Sequence, residues 1–131
     1  MTIKDWIIEK FPAVRKRMPE NICEFSIDDG YLEGFCTHPD ILQGEWLYYD
    51  EADFLNAEDV PEGFFAAAVE EHVHSERLVV IWQKQGRRLY FRDRYLLTCA
   101  DTGDSTEKTN EKFEAYVEKW EKGEVDTMDD D

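Results

Sequence analysis

The chain has 131 residues and a formal net charge of −16, from 31 Asp and Glu against 15 Lys and Arg. This length suits one domain that buries roughly two-thirds of its unfolded surface, and an aromatic share of 14% argues against a disordered acidic chain. The charge opposes direct contact with nucleic acid or anionic lipid, and no apolar run reaches the ~20 residues of a membrane span.

Thr2 followed three residues later by Asp5 resembles a capping box, and Ile3, Trp6, Ile7 and Phe11 recur near helical spacing, which predicts a first helix that Pro12 bends or restarts. Arg15, Lys16 and Arg17 close it with a basic cluster suited to a helix C-terminus and to pairing with the chain's own acids. Glu24 to Ile27 and Tyr31 to Thr37 alternate in polarity around Asp28-Asp29-Gly30, a signature of a tight hairpin. Trp46 to Tyr49 reads as a third strand. Asp59 to Glu62, with Pro61 in the first turn, repeats the capping pattern and predicts a helix from Val60 to His74.

Leu78 to Gln83 is a dense β-favouring run, and Lys84-Gln85-Gly86-Arg87 turns it back into Arg88 to Phe91. Tyr95 to Cys99 either continues that strand past a bulge at Arg92-Asp93-Arg94 or pairs separately, and Asp101 to Thr106 has loop composition. A last helix over Asn110 to Lys122 carries Phe113, Tyr116, Val117 and Trp120 on one stripe and stops at Gly123. The expected architecture is a single α+β domain over residues 1–123. It has a mostly antiparallel sheet of four to six strands with three helices mainly on one face, followed by an acidic, flexible tail over 124–131.

The charge is segregated along this order. From Met18 to Glu76 the chain places 16 acids and no Lys or Arg, while the other 72 residues hold 15 acids and 15 bases. A sided field selects which surfaces approach, and the natural partner of this block is positive. The later strands reverse locally, with six bases and one acid from Arg77 to Ala100.

No residue set in the sequence carries a specific catalytic motif. Asp50-Glu51-Ala52-Asp53 has the letters of a helicase metal-binding motif but no phosphate-cradling Gly-rich loop elsewhere. Cys36, His38, His72 and His74 offer zinc ligand types, yet on a helix positions 72 and 74 point about 200° apart. His72 would then share a semi-buried face with Phe65, Val69 and Val73. Ser26, Ser75 and Ser105 lie in no nucleophile turn, and Asp101-Thr102-Gly103-Asp104 lacks the ligand pattern of a calcium loop. No metal or cofactor is expected. Cys23, Cys36 and Cys99 form no CxxC pair and read as small apolar residues, in a chain expected to start at Met1 in a reducing cytosol.

Aromatics interleave with the acids of the central block, the composition of a surface that grips a basic protein with rings and steers it with carboxylates. The candidate partner-binding set is Asp28, Asp29, Glu33, Tyr48, Asp50, Glu51, Asp53, Glu58, Asp59 and Glu62. Leu78 to Phe91 and the closing Phe113-Glu114-Ala115-Tyr116-Val117-Glu118-Lys119-Trp120 helix resemble a superfamily of small acidic bacterial α+β proteins that includes toxin immunity proteins. The Gly-rich segment expected after the first helix of that superfamily is missing, so no residue roles carry over.

The expectation is a non-enzymatic acidic inhibitor, a monomer or weak homodimer. Its target would be basic, either a bacterial nuclease toxin, to which it is the immunity protein, or a DNA-handling defence enzyme, against which it mimics nucleic acid. The alternatives are a small metal-assisted enzyme built on acidic or Cys/His residues, or an acidic adaptor or assembly protein.

Overall fold

The computed structural model describes residues 2–26, 32–37, 61–72, 75–95 and 104–124. Among them are three helices, α1 (Ile3–Lys10), α2 (Pro12–Arg15) and α3 (Asp104–Glu121). The same residues form five strands: β1 (Cys23–Ser26), β2 (Leu32–Cys36), β3 (Phe65–His72), β4 (Ser75–Lys84) and β5 (Arg87–Tyr95). The strands form one antiparallel meander in the order β1-β2-β3-β4-β5. The domain is α+β, as the order of elements in the sequence implied.

At the start of α1 the capping box forms in both directions. The Thr2 hydroxyl accepts from the Asp5 amide at 3.1 Å, and the Asp5 carboxylate accepts from the Thr2 amide at 3.4 Å. Pro12, lacking an amide hydrogen, ends α1 and takes the first position of α2, where that hydrogen is not needed. The break leaves orphan backbone groups, and Asn110 of α3 satisfies two of them. Its side-chain amide donates to the Lys10 carbonyl at 2.9 Å, and its oxygen accepts from the Ala13 amide at 3.1 Å.

Directly opposed residues of an antiparallel pair share a face, so the register sorts the sheet. Phe35, Ala67, Val80 and Phe91 stand in one row, flanked by Phe65, Trp82 and Leu89 on one side and Val69 and Leu78 on the other. This face receives Ile7, Phe11 and Val14 from the first two helices and Phe113, Tyr116, Val117 and Trp120 from α3, forming one buried core. Phe91 meets the Phe113 ring edge-on at 5.1 Å between centroids.

Residues 65–72 correct the expected helix over Val60 to His74. They form β3, hydrogen-bonded to β2 on one side and β4 on the other. Alanine favours a helix by only a few tenths of a kcal/mol per residue, and two full ladders with burial on both faces outweigh that. Ala66, Ala67, Ala68 and Val69 are all buried, giving the near-continuous apolar run of a central strand. His72 therefore ends a strand opposite Ser75 rather than lying on a helical stripe with Phe65 and Val69. Of the expected cap pattern, Pro61 and Glu62 lie in a turn instead: the Phe64 amide donates to the Pro61 carbonyl at 3.0 Å, with Gly63 at φ +83°.

The hairpin joining β4 and β5 turns at Gln85 (φ 56°) and Gly86 (φ 75°), the left-handed pair that matches strand twist. β5 then runs to Tyr95 in continuous register, so Arg92-Asp93-Arg94 is strand and not a bulge. α3 starts at Asp104, six residues before the expected Asn110, and the predicted loop thus loses its last three residues to the helix. Its end is a Schellman motif: the Gly123 amide donates to the Trp120 carbonyl at 3.0 Å and the Glu124 amide to the Lys119 carbonyl at 2.9 Å. The expected strand over 46–49, residues 96–99 and the tail beyond 124 lie outside the described residues.

The closest backbone approach is between β2 and β3. A Cβ at Gly34 would stand 2.2 Å from the Ala67 carbonyl oxygen and 2.6 Å from the Ala68 Cα. Gly34→Ala is expected to cost about 3 kcal/mol, because the atoms in the way are backbone and cannot swing aside. Urea unfolding checks this, and a midpoint unchanged from wild type would show that the strands can separate at no cost.

Candidate functional site

Eight of the ten candidate partner-binding residues, Asp28, Asp29, Tyr48, Asp50, Glu51, Asp53, Glu58 and Asp59, lie outside the described residues. The remaining two are both exposed but do not meet. Glu33 sits on β2 between Ser26 and Val69. Glu62 precedes β3 at the other end of the sheet. Phe65 and Val69 are four residue steps apart, and at about 3.3 Å per step they span about 13 Å, to which the Pro61–Phe64 turn adds more.

Glu62 is engaged with its own fold. Its two carboxylate oxygens accept from the Gln85 and Gly86 amides, the latter at 3.1 Å. Both amides belong to the two residues of the turn, so Glu62 caps the hairpin as a carboxylate caps a helix N-terminus. Glu33 is exposed on β2, on the same face of the sheet as Phe35.

Other acids are absorbed at the seam between the sheet and the helices. Asp93, 2% exposed, accepts from the Thr109 hydroxyl at 2.9 Å and from Lys112 Nζ at 3.4 Å, fastening β5 to α3. Glu114 of α3 faces the basic end of α2: Arg17 Nη2 lies 2.9 Å from one oxygen and Lys16 Nζ 3.9 Å from the other. The hydrogen bond from Arg17, reinforced by the charges of Arg17 and Lys16, holds the Glu114 carboxyl below the usual glutamate range against the opposing effect of burial. Arg17 also approaches Glu121 at 3.9 Å and lies 5.9 Å from the Phe113 ring centroid. Lys16 and Arg17 of the basic cluster thus pair, as its composition suggested, with the chain's own acids.

Basic residues from the β4–β5 hairpin meet the opposite end of α3. Arg87 donates to the Trp120 carbonyl at 2.6 Å and lies 4.9 Å from the Trp120 ring centroid. Trp120 stacks on Trp82 at 5.8 Å, and Lys84 lies 4.8 Å from the Trp82 ring centroid. Cations here complement the negative end of the helix dipole.

The second face of the sheet was not anticipated. The register assigns it Cys36, Ala66, Ala68, Val79, Ile81 and Tyr90, all buried, together with Arg77, Arg88 and Arg92. None of the described helices contributes to it. Arg77 is only 7% exposed, and all three arginines are engaged in further contacts. The alternation Arg88-x-Tyr90-x-Arg92 was the available signal, and reading a bulge at residues 92–94 concealed it.

Among the described residues no three His, Cys, Asp or Glu side chains come together to hold a metal ion, and no helix is long and apolar enough to cross a membrane. A shallow open groove of about 570 Å³ runs between α2 and α3, lined by Pro12, Ala13, Lys16, Asn110, Glu111 and Glu114 among others. No protein-family model, curated protein or solved structure matches the chain.

The Arg17–Glu114 contact carries a pH dependence. Because the folded carboxyl titrates below its unfolded counterpart, its stabilising contribution is complete above the ordinary glutamate range and is lost as pH falls through the folded value. Glu114→Gln is expected to lower stability at neutral pH by about 1 kcal/mol. That gap should narrow as the solution is acidified, which urea titrations at neutral and acidic pH would read; a gap independent of pH would remove the ionised pair as its cause.

Proposed function

We propose that the protein is a non-enzymatic acidic binding protein that inhibits a basic protein target by covering its cationic surface. The single observation behind this reading is a charge imbalance that the fold cannot cancel. If each of the 15 bases neutralised one of the 31 acids, 16 negative charges would remain. Sixteen of the 31 acids come from one block of sequence, Met18 to Glu76, which contains no base of its own, while the other 15 are matched by the 15 bases outside it.

The described contacts support the asymmetry. Arg17 and Arg87 are held against α3, and Arg77 is buried, so these cations are committed internally. Glu33, from the acidic block, remains exposed on the sheet. Carboxylates of this kind, joined by those of Asp28, Asp29, Asp50, Glu51, Asp53, Glu58 and Asp59 and by the Tyr48 ring, would take the positions that phosphates take on a nucleic-acid enzyme. Carboxylates raise the association rate, and aromatic rings add desolvated contact that slows release. A basic nuclease toxin or a DNA-handling defence enzyme fits this complementarity.

Affinity capture with the full chain, beside an unrelated acidic protein of matched charge, tests the reading. Selective recovery of one basic enzyme, inhibited by the chain, is the expected result. Recovery no better than the control would overturn it. With that enzyme in hand, reversing Asp50, Glu51 and Asp53 to Lys should slow association by about tenfold or more at low salt, whereas the same change at Asp129, Asp130 and Asp131 should alter it less than about twofold. Equal effects in stopped-flow measurements would mean that bulk charge, not a site, governs the encounter.

A further inference from the structure

Cys23 opens β1 and Cys36 closes β2, and the two are direct cross-strand partners at the open end of the first hairpin. Their sulfurs lie 4.0 Å apart, and the Cys23 thiol also points at the Cys36 carbonyl oxygen, 3.5 Å away. Both are reduced. Directly opposed residues of an antiparallel pair have Cα atoms about 4.5–5.5 Å apart, inside the window of about 4.4–6.8 Å that a disulfide requires. No backbone movement is needed to bring the sulfurs together; rotation about the side-chain bonds suffices.

Accessibility separates the two thiols. Cys36 is fully buried, while Cys23 is partly exposed on the edge strand. An oxidant in solution therefore reaches Cys23 first, and the only neighbour within van der Waals range of the resulting sulfur that can displace a leaving thiolate is, among the described residues, Cys36.

We propose that Cys23 and Cys36 form a redox-modification site, with Cys23 the attacking thiol and Cys36 the resolving thiol, oxidised by low-molecular-weight disulfides. The Cys23 thiolate, having released its proton, attacks one sulfur of oxidised glutathione, forming a mixed disulfide and expelling one glutathione thiolate. The Cys36 thiolate then attacks the Cys23 sulfur, forming the Cys23–Cys36 bond and expelling the second glutathione. Two protein thiols are oxidised, one glutathione disulfide is reduced to two glutathione molecules, and the two protons pass from the cysteines to the departing thiolates. The bridge ties the edge strand β1 to β2 at the end of the hairpin opposite its turn, where the acidic residues 28 and 29 fall in the sequence. The chemistry does not depend on the identity of any protein partner.

The test uses the full chain, incubated with oxidised glutathione, quenched with acid and mapped without reduction. No Lys or Arg lies between Met18 and Glu76, so trypsin leaves both cysteines on one peptide; a glutamate-specific protease, cutting after Glu24 and Glu33, separates them. The expected product is a disulfide joining those two peptides, a mass loss of two hydrogens, reversal by dithiothreitol, and a thermal midpoint higher by about 5 °C in the oxidised form. In the Cys36→Ser chain the glutathione adduct on Cys23 should persist about tenfold longer than in wild type. An unreacted Cys23, a stable Cys23 adduct beside a still-alkylatable Cys36 in wild type, or a bridge to Cys99 would each overturn the proposal.

Discussion

The packing of β3 sets the terms for the rest of the molecule. This strand is paired on both edges and buried on both faces, so its backbone must be satisfied by neighbours and its side chains must be small where the sheet is tightest. Ala66 to Ala68 meet that requirement, and Gly34 meets it from the adjoining strand by offering no Cβ where one would strike the Ala67 carbonyl. Larger residues at these positions would push β2 outward, taking with it Phe35 and the stacked contact of its ring with Phe65 at 6.3 Å. The helical layer rests on the row that begins at Phe35, so a wider sheet would also unseat α1.

Upon this sheet the helices are fastened by polar contacts at their ends as well as by the apolar core between them. Asn110 fills the gap that Pro12 creates, Arg17 meets Glu114, Asp93 meets Thr109 and Lys112, and Arg87 meets the last turn of α3. Each contact joins a residue to one at least 16 positions away in sequence. The acids and bases involved come mostly from the balanced flanks of the sequence rather than from the acidic block. Structural pairing and the net charge are therefore drawn from largely different parts of the chain.

The sequence made some of this legible and hid the rest for physical reasons. Local signals were reliable where the deciding contact is itself local: Thr2 with Asp5, Pro12 at a helix start, Gln85-Gly86 in a hairpin, Gly123 beyond a helix end. Residues 65–72 misled because the Asp59–Glu62 pattern looks like a cap, and the two ladders that make this segment a strand lie outside any local window. The carboxylate of Glu62 does cap amides, but those of a turn 23 residues away. The same limitation applied to the cysteines. Their pairing depends on hairpin register, which sequence spacing alone does not express, and the arginine-bearing sheet face emerged only when β5 proved to be continuous. Of the candidate binding set, only Glu33 and Glu62 fall among the described residues, and the turn contacts of Glu62 could not have been inferred from its neighbours in sequence.

The Asn110 clamp has one more implication, for the order of events as the protein is made. The Lys10 carbonyl and Ala13 amide precede their partner by 100 and 97 residues, so Asn110 is synthesised only after all five described strands. Until α3 arrives, that junction lacks its Asn110 partner and the apolar stripe of α1 and α2 lacks Phe113, Tyr116, Val117 and Trp120. Closure of the domain is thus a late, long-range event, in which the last helix completes the first.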